Sequence, residues 1–399
     1  MDERFKWFAL IAAVTLVVGC GVHGPRGDWD DDDDDDGAGG AGLTGGGLYG
    51  STSSSGQGAG DTSSSGTGGT STSSGTGASS STSTSTSTST STSTSSGSSG
   101  TGGAGSSSSS TSSSSSSGTG GSGGTGGGGC YTEGYDLNVS LNDLQSSYSG
   151  SQWLPTMIEV LNRRYSNGWY LMDQMKNDSW LLSSFPSYFN LSSWNGMIES
   201  IDTACHEENH GYDFDQALNH PGKHVYYMGS NLQVIAAKLN FFARNQIYGE
   251  VTQGGSVTSM YDSTYLTGTQ GSYDFIFLGD ELTAYINGLA CATVVGDHLN
   301  QGGSFRDGAA AHLYYLQVYL RVARTQYPTL YNQWKNDPDW QQFVRFSWAR
   351  GHYWTNVSTQ FPQHGINDGA IWNRINDPNN LAEIQHFTGD SASVVACTP

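Results

Sequence analysis

Between Gly37 and Gly129 the chain consists almost wholly of Gly, Ser and Thr, including an alternating Ser-Thr tract from Ser80 to about Ser95. These 93 residues decide where a fold can form. They lack the apolar side chains that would offset the entropy of ordering, so the segment is expected to be disordered. As a Gly/Ser tether of 93 residues it would span about 50–60 Å root-mean-square. Any core must come from the 270 residues after it, Cys130 to Pro399, which hold nearly all the Trp, Tyr, Phe and Leu. That length suffices for one substantial core or two small ones.

The chain opens with Arg4 and Lys6, an apolar run from Phe8 to Val18, then Gly19 and Cys20. The run is too short to span a membrane and has the length of a signal-peptide core. Val17-Val18-Gly19-Cys20 resembles a bacterial lipoprotein processing site. That resemblance implies cleavage before Cys20, a lipid on its thiol, and attachment to the cell envelope by that lipid alone, at the outer membrane or cell surface. An ordinary secretory signal also implies export. Asp28 and Asp30 to Asp36 follow, without the spacing of an ordered calcium loop, and read as a solvated spacer. The expected division is a leader over 1–19, a linker over 20–129 and a folded domain over 130–399.

That domain carries 13 Lys plus Arg against 25 Asp plus Glu, a net charge of −12 with no basic cluster. Nucleic acid is therefore excluded as a partner on electrostatic grounds. Hydrophobic periodicity predicts helices over Ser151–Met175, Trp194–His210, Leu232–Ile247, Phe275–Val295, Asp307–Arg324 and Thr329–Trp348. Gly211 reads as a helix stop. Val225–Met228 suggests a short strand, and the Gly/Ser/Thr-rich Val251–Gly271 a loop or hairpin. The expected class is mainly α with a minor β component, and the chain is expected to act as a monomer.

The most specific chemistry lies in His206-Glu207-Glu208-Asn209-His210. Residues four apart project from one face of a helix, so His206 and His210 can grip one ion, with Glu207 beside them. Catalytic zinc takes three protein ligands and leaves a position open. A histidine six residues after His210 would complete an extended form of the signature, but that position is Gln216. His220 and His224 are within reach along the chain. Glu281, a carboxylate on a long and otherwise apolar predicted helix, needs a partner there and is the stronger candidate.

With these residues the chain resembles the gluzincins, zinc peptidases in which a second helix carries a glutamate ligand. The resemblance covers two short helices. It implies a zincin-like helical catalytic domain that binds Zn2+ through His206, His210 and Glu281. Glu207 would be the base that activates a zinc-bound water against a peptide bond in a protein or peptide substrate. Tyr265 and Tyr285 are candidate donors to the developing oxyanion.

Of the remaining cysteines, Cys205–Cys291 is the expected disulfide between the two site helices, and Cys130–Cys397 would join the domain's ends. Four cysteines allow three pairings, and position alone favours this one. His298, His312, His352, His364 and His386 lack ligand spacing and read as surface or satisfied core histidines. The aromatic stretch Phe346–Trp354 reads as packing in preference to a sugar-binding cleft. Two other functions fit the sequence: a non-catalytic surface binding or adhesion lipoprotein, and a zinc hydrolase of non-peptide cell-wall amides.

Overall fold

In chain order, the helices of eight or more residues in the computed structural model are α1 (Trp153–Arg164), α2 (Ser166–Met175), α3 (Ile201–Ala217), α4 (Phe275–Thr293), α5 (Phe305–Gln326), α6 (Pro328–Asn336), α7 (Pro338–Val357), α8 (Asp368–Ile375) and α9 (Pro378–Thr388). The structure describes residues 131–229, 232–299 and 302–392. The leader, Cys20, the tether and the Cys130–Cys397 pairing lie outside those residues. Helix accounts for 69% and strand for 5% of the described region, so the class is mainly α with a minor β component. None of the described helices is long and apolar enough to cross a membrane.

The architecture is built around α4. Every residue of this helix except Phe277 is buried, as expected of a helix that is apolar on nearly all sides. The Asp274 side chain caps its start by accepting from the Ile276 N–H at 3.0 Å. Helices α3, α5 and α7 lie against it, and α2 packs on α3. Gly288 lets α3 and α4 approach closely: a Cβ there would stand 3.1 Å from the Asp202 carbonyl oxygen and 3.4 Å from the His206 Cβ. The Cys205–Cys291 disulfide then fastens the same two helices. Gly168 of α2 makes room for it, since a Cβ at 168 would lie 2.9 Å from the Cys291 sulfur.

A two-stranded antiparallel hairpin, β1 (Lys223–Gly229) and β2 (Leu232–Ala237), pairs Lys223 with Ala237 and Gly229 with Leu232. It covers the C-terminal half of α3. Gly229 sits at φ +100°, a conformation that glycine adopts without steric cost.

Several sequence expectations are corrected. Leu232–Ile247 is not a helix: its first six residues form β2, where β-branched Val234 and Ile235 suit a pleated strand paired to β1. Only Arg244–Ile247 turns, as a 3-10 segment. Ser151–Met175 divides at Tyr165, whose backbone is extended (φ −156°, ψ 96°) so that its ring is buried against Trp354. Trp194–His210 divides at Ser200, whose hydroxyl folds back onto the Met197 carbonyl at 2.8 Å. Gly211 does not stop α3, which runs on to Ala217, because packing against the hairpin outweighs a glycine penalty of about 1 kcal/mol. Thr329–Trp348 breaks at Asp337-Pro338. There the Asp337 side chain caps α7 through the Asp339 and Trp340 N–H groups, and Pro338 takes its first turn. Val251–Gly271 contains short helices, Ser259–Tyr265 and Gly268–Gly271, instead of a hairpin. The aromatic stretch is core packing, with Trp348, Tyr353 and Trp354 buried.

Candidate metal centre

Because α3 does not end at Gly211, the pentapeptide lies in mid-helix, and its middle is enclosed. His206, Glu207, Glu208, Asn209 and His210 are all buried. The seam towards α4 is polar. Asn287 Nδ2 donates to Asn209 Oδ1 at 2.6 Å, and Asn209 Nδ2 donates to Asp213 Oδ2 at 3.0 Å. Asp213 Oδ1 accepts from the Tyr227 N–H of β1 at 2.6 Å. These bonds fix the rotation of α3 and aim the two histidines at the Asp280-Glu281 turn of α4.

His206 Nε2 stands 3.2 Å from His210 Nε2, and Glu281 Oε2 stands 3.7 and 3.6 Å from them. The two contacts of Glu281 are too long for good hydrogen bonds. Oε2 is buried without a hydrogen-bond partner among the described residues. An orphaned buried carboxylate oxygen is costly, and a cation is the natural remedy. The triangle with those edges has a circumradius of about 2.0 Å, the length of a bond from zinc to imidazole nitrogen or carboxylate oxygen. Edges of about 3.3 Å are those of a tetrahedron with such bonds, so one ion satisfies all three atoms together. Among the described residues, His206, His210 and Glu281 form a buried group that could hold a metal ion.

Asp280, adjacent to Glu281, backs the triad from behind. His210 Nδ1 donates to Asp280 Oδ2 at 2.7 Å, which fixes the tautomer and leaves Nε2 facing the triangle. His224 of β1 lies behind Asp280, Nε2 to Oδ1 at 3.8 Å, and so supports the triad from outside it. His220, midway along the connection from α3 to β1, is also outside the group.

Protonation follows this arrangement. Burial, then the His210 imidazole, hold His206 down at about 3, a neutral ring suited to ligation. Burial would lower His210 as well, but the Asp280 carboxylate against Nδ1 drives it well above the ordinary value. Asp280 and Glu281 both lie below the usual carboxylate range: burial opposes this, and His210 prevails. Arg244, a buried guanidinium, also pulls Glu281 down.

The two tyrosines singled out by sequence come together beside the triad. Tyr285 presents its ring edge-on to His206, centroids 4.5 Å apart, and its hydroxyl lies 2.8 Å from that of Tyr265. Sequence spacing missed His312. It is fully buried on α5 and stacks on Tyr285, centroids 4.6 Å apart. Its Nδ1–H donates to the Gly308 carbonyl at 2.9 Å, and its Nε2 has no hydrogen-bond partner among the described residues. It is thus not a satisfied core histidine. His364 is buried as well, with neither ring nitrogen hydrogen-bonded among the described residues. A lone histidine carries no spacing signal, whether in an Ala-rich helix like His312 or in a short 3-10 segment like His364, so only tertiary structure could reveal either one.

A cleft reaches the triad at His206. It is lined by Asp202, Thr203 and His206 of α3 and by Tyr285, Gly288 and Leu289 of α4; Ser304 and Phe305 at the start of α5 close its rim. Glu207 does not line it. No family model matches the chain, nor does any curated protein or solved structure.

Proposed function

We propose that the protein is an exported zinc-dependent hydrolase acting on peptide bonds, with His206, His210 and Glu281 as metal ligands. The observation that carries this reading is the 3.2, 3.6 and 3.7 Å triangle of buried ligand atoms backed by Asp280. Two imidazoles and one carboxylate are the donor set of zinc sites that keep a position open for chemistry. When bound, the ion would polarise a carbonyl oxygen and acidify water.

The chain's own groups take the other roles. Asp280 holds the His210 tautomer. Glu207, next to His206 on α3, moves the proton from the attacking water to the leaving amine. The Tyr265–Tyr285 pair, beside His206, supplies a donor for the charge that develops on oxygen. The lipid anchor at Cys20 remains part of this proposal.

Metal analysis and peptide hydrolysis on the purified chain test it. The wild type should carry about one zinc, and His206→Ala should lose both metal and activity. Glu207→Gln should keep the metal and lose about 100-fold or more in rate. A metal-free wild type ends the proposal. The near-complete burial of the triad favours a second reading, in which the ion only ties α3 to α4; Glu207→Gln would then change nothing but packing. An adhesion module would need neither metal nor Glu207.

A further inference from the structure

Asp202 precedes His206 by one turn of α3 and lines the same cleft. Residues four apart on a helix have Cβ atoms about 6 Å apart, so a ligand reaching His206 from this side passes the Asp202 carboxyl. Its side-chain hydrogen bond is a long one, from Thr203 Oγ1 at 3.4 Å, and no lysine, arginine or histidine forms an ion pair with it among the described residues. The rest of the wall is uncharged: Leu289, Gly288 and Phe305 are apolar, and the Ser304 hydroxyl is engaged by the Tyr261 hydroxyl at 2.9 Å.

Resting on the hydrolase reading, we propose that Asp202 makes this cleft a subsite for a compact cationic group, the ammonium of a lysine beside the bond that is cut. A carboxyl held 8% exposed in a low-dielectric wall gains far more from a cation than the same group in water. Its ionisation state agrees: burial pushes Asp202 up to about 7, the mark of a carboxylate lacking a positive partner. Long-range electrostatics act in the same direction, since the net charge of −12 over residues 130–399 attracts cationic chains.

The test uses the full chain carrying Glu207→Gln, which blocks turnover, and two fluorescent peptides that differ only in lysine against norleucine. Anisotropy should show tighter binding of the lysine peptide. Adding Asp202→Asn should weaken that peptide about thirtyfold while leaving the norleucine peptide unchanged, the expected loss when one partner of a buried charge pair is removed. Asp202→Glu should restore the preference and so guards against misfolding of the amide variant. Equal affinity for the two peptides overturns the proposal. A parallel loss for both peptides on Asp202→Asn also overturns it, because a structural or proton-transfer role would act on both alike. Metal content of the wild type, measured alongside, separates the two ideas. A zinc-free wild type removes the hydrolase reading, whereas the lysine preference is read by binding and stands or falls independently.

Discussion

Two buried carboxylates in this molecule have opposite surroundings. Glu133 is fully partnered: its Oε1 accepts from Tyr131 Oη at 3.1 Å, Asn167 Nδ2 at 2.9 Å and Arg350 Nε at 2.6 Å. Its Oε2 accepts from Tyr165 Oη at 3.1 Å and from the Trp354 indole N–H. Arg350 completes the cluster by donating to Tyr165 Oη at 2.7 Å. Glu281 is buried to a similar degree, yet among the described residues its Oε2 meets only two imidazole nitrogens, at 3.6 and 3.7 Å. A buried polar cluster that satisfies itself fastens the chain, here the segment before α1 to α7. One left open needs something more.

The comparison can be broken most forcefully at Arg350. Arg350→Met leaves the Glu133 charge buried without its countercharge and should cost about 3–5 kcal/mol, measured by urea unfolding. Zinc stoichiometry of the folded fraction should not change. At the other centre, Glu281→Gln should abolish metal uptake while changing metal-free stability less than Arg350→Met does, because its Oε2 has no hydrogen bond to lose and what goes is the attraction of His210. Should Glu281→Gln prove as destabilising as Arg350→Met, both centres are structural and the contrast collapses.

A smaller effect is expected one shell out. Asp280→Asn keeps the shape behind His210 but removes the charge that accepts from Nδ1 at 2.7 Å. Metal affinity should fall about 10–100-fold, by competition with a chelator of known strength. The same change should shrink the thermal stabilisation by added zinc, which for the wild type reaches about 2.7 kcal/mol at 100 times the dissociation constant. An unchanged affinity would mean that Asp280 belongs with Glu133 as a fastening group.

How much of this was legible in the sequence depends on how local the signal was. The spacing of His206 and His210 is a property of one helix, and it survives folding unchanged. Glu281 stands out as a carboxylate inside an apolar run, whereas Asp280 beside it carries no separate signal. The division of labour between them was not visible: adjacent helical side chains diverge by about 100°, so one faces the triangle and the other the back of His210. Helix α4 was readable to within two residues because it is apolar all round. Strand β2 was not, since Leu232–Ala237 takes its conformation from pairing with β1, and a short apolar run alone suits either state. Gly211 misled because a local stop signal of about 1 kcal/mol yields to tertiary packing. His312 could not be found at all, because its neighbours Tyr261, Tyr265 and Tyr285 arrive from other segments.

The subtlest test of the contrast is the hydroxyl of Tyr285. Its ring is wedged between His206 and His312, while its oxygen meets only Tyr265 Oη at 2.8 Å among the described hydrogen bonds. Tyr285→Phe keeps the wedge and removes that one bond, so unfolding free energy should fall by about 1 kcal/mol with zinc content intact. Tyr265→Phe removes the same bond from its other end. Activity then decides which centre the pair resembles. If either hydroxyl serves the reaction, that variant loses at least about tenfold in kcat with little change in KM, more than a fold-wide loss of 1 kcal/mol can produce in a protein that stays folded. If both variants keep full activity, the tyrosines are packing around the triad, in the way that Tyr131 and Tyr165 surround Glu133.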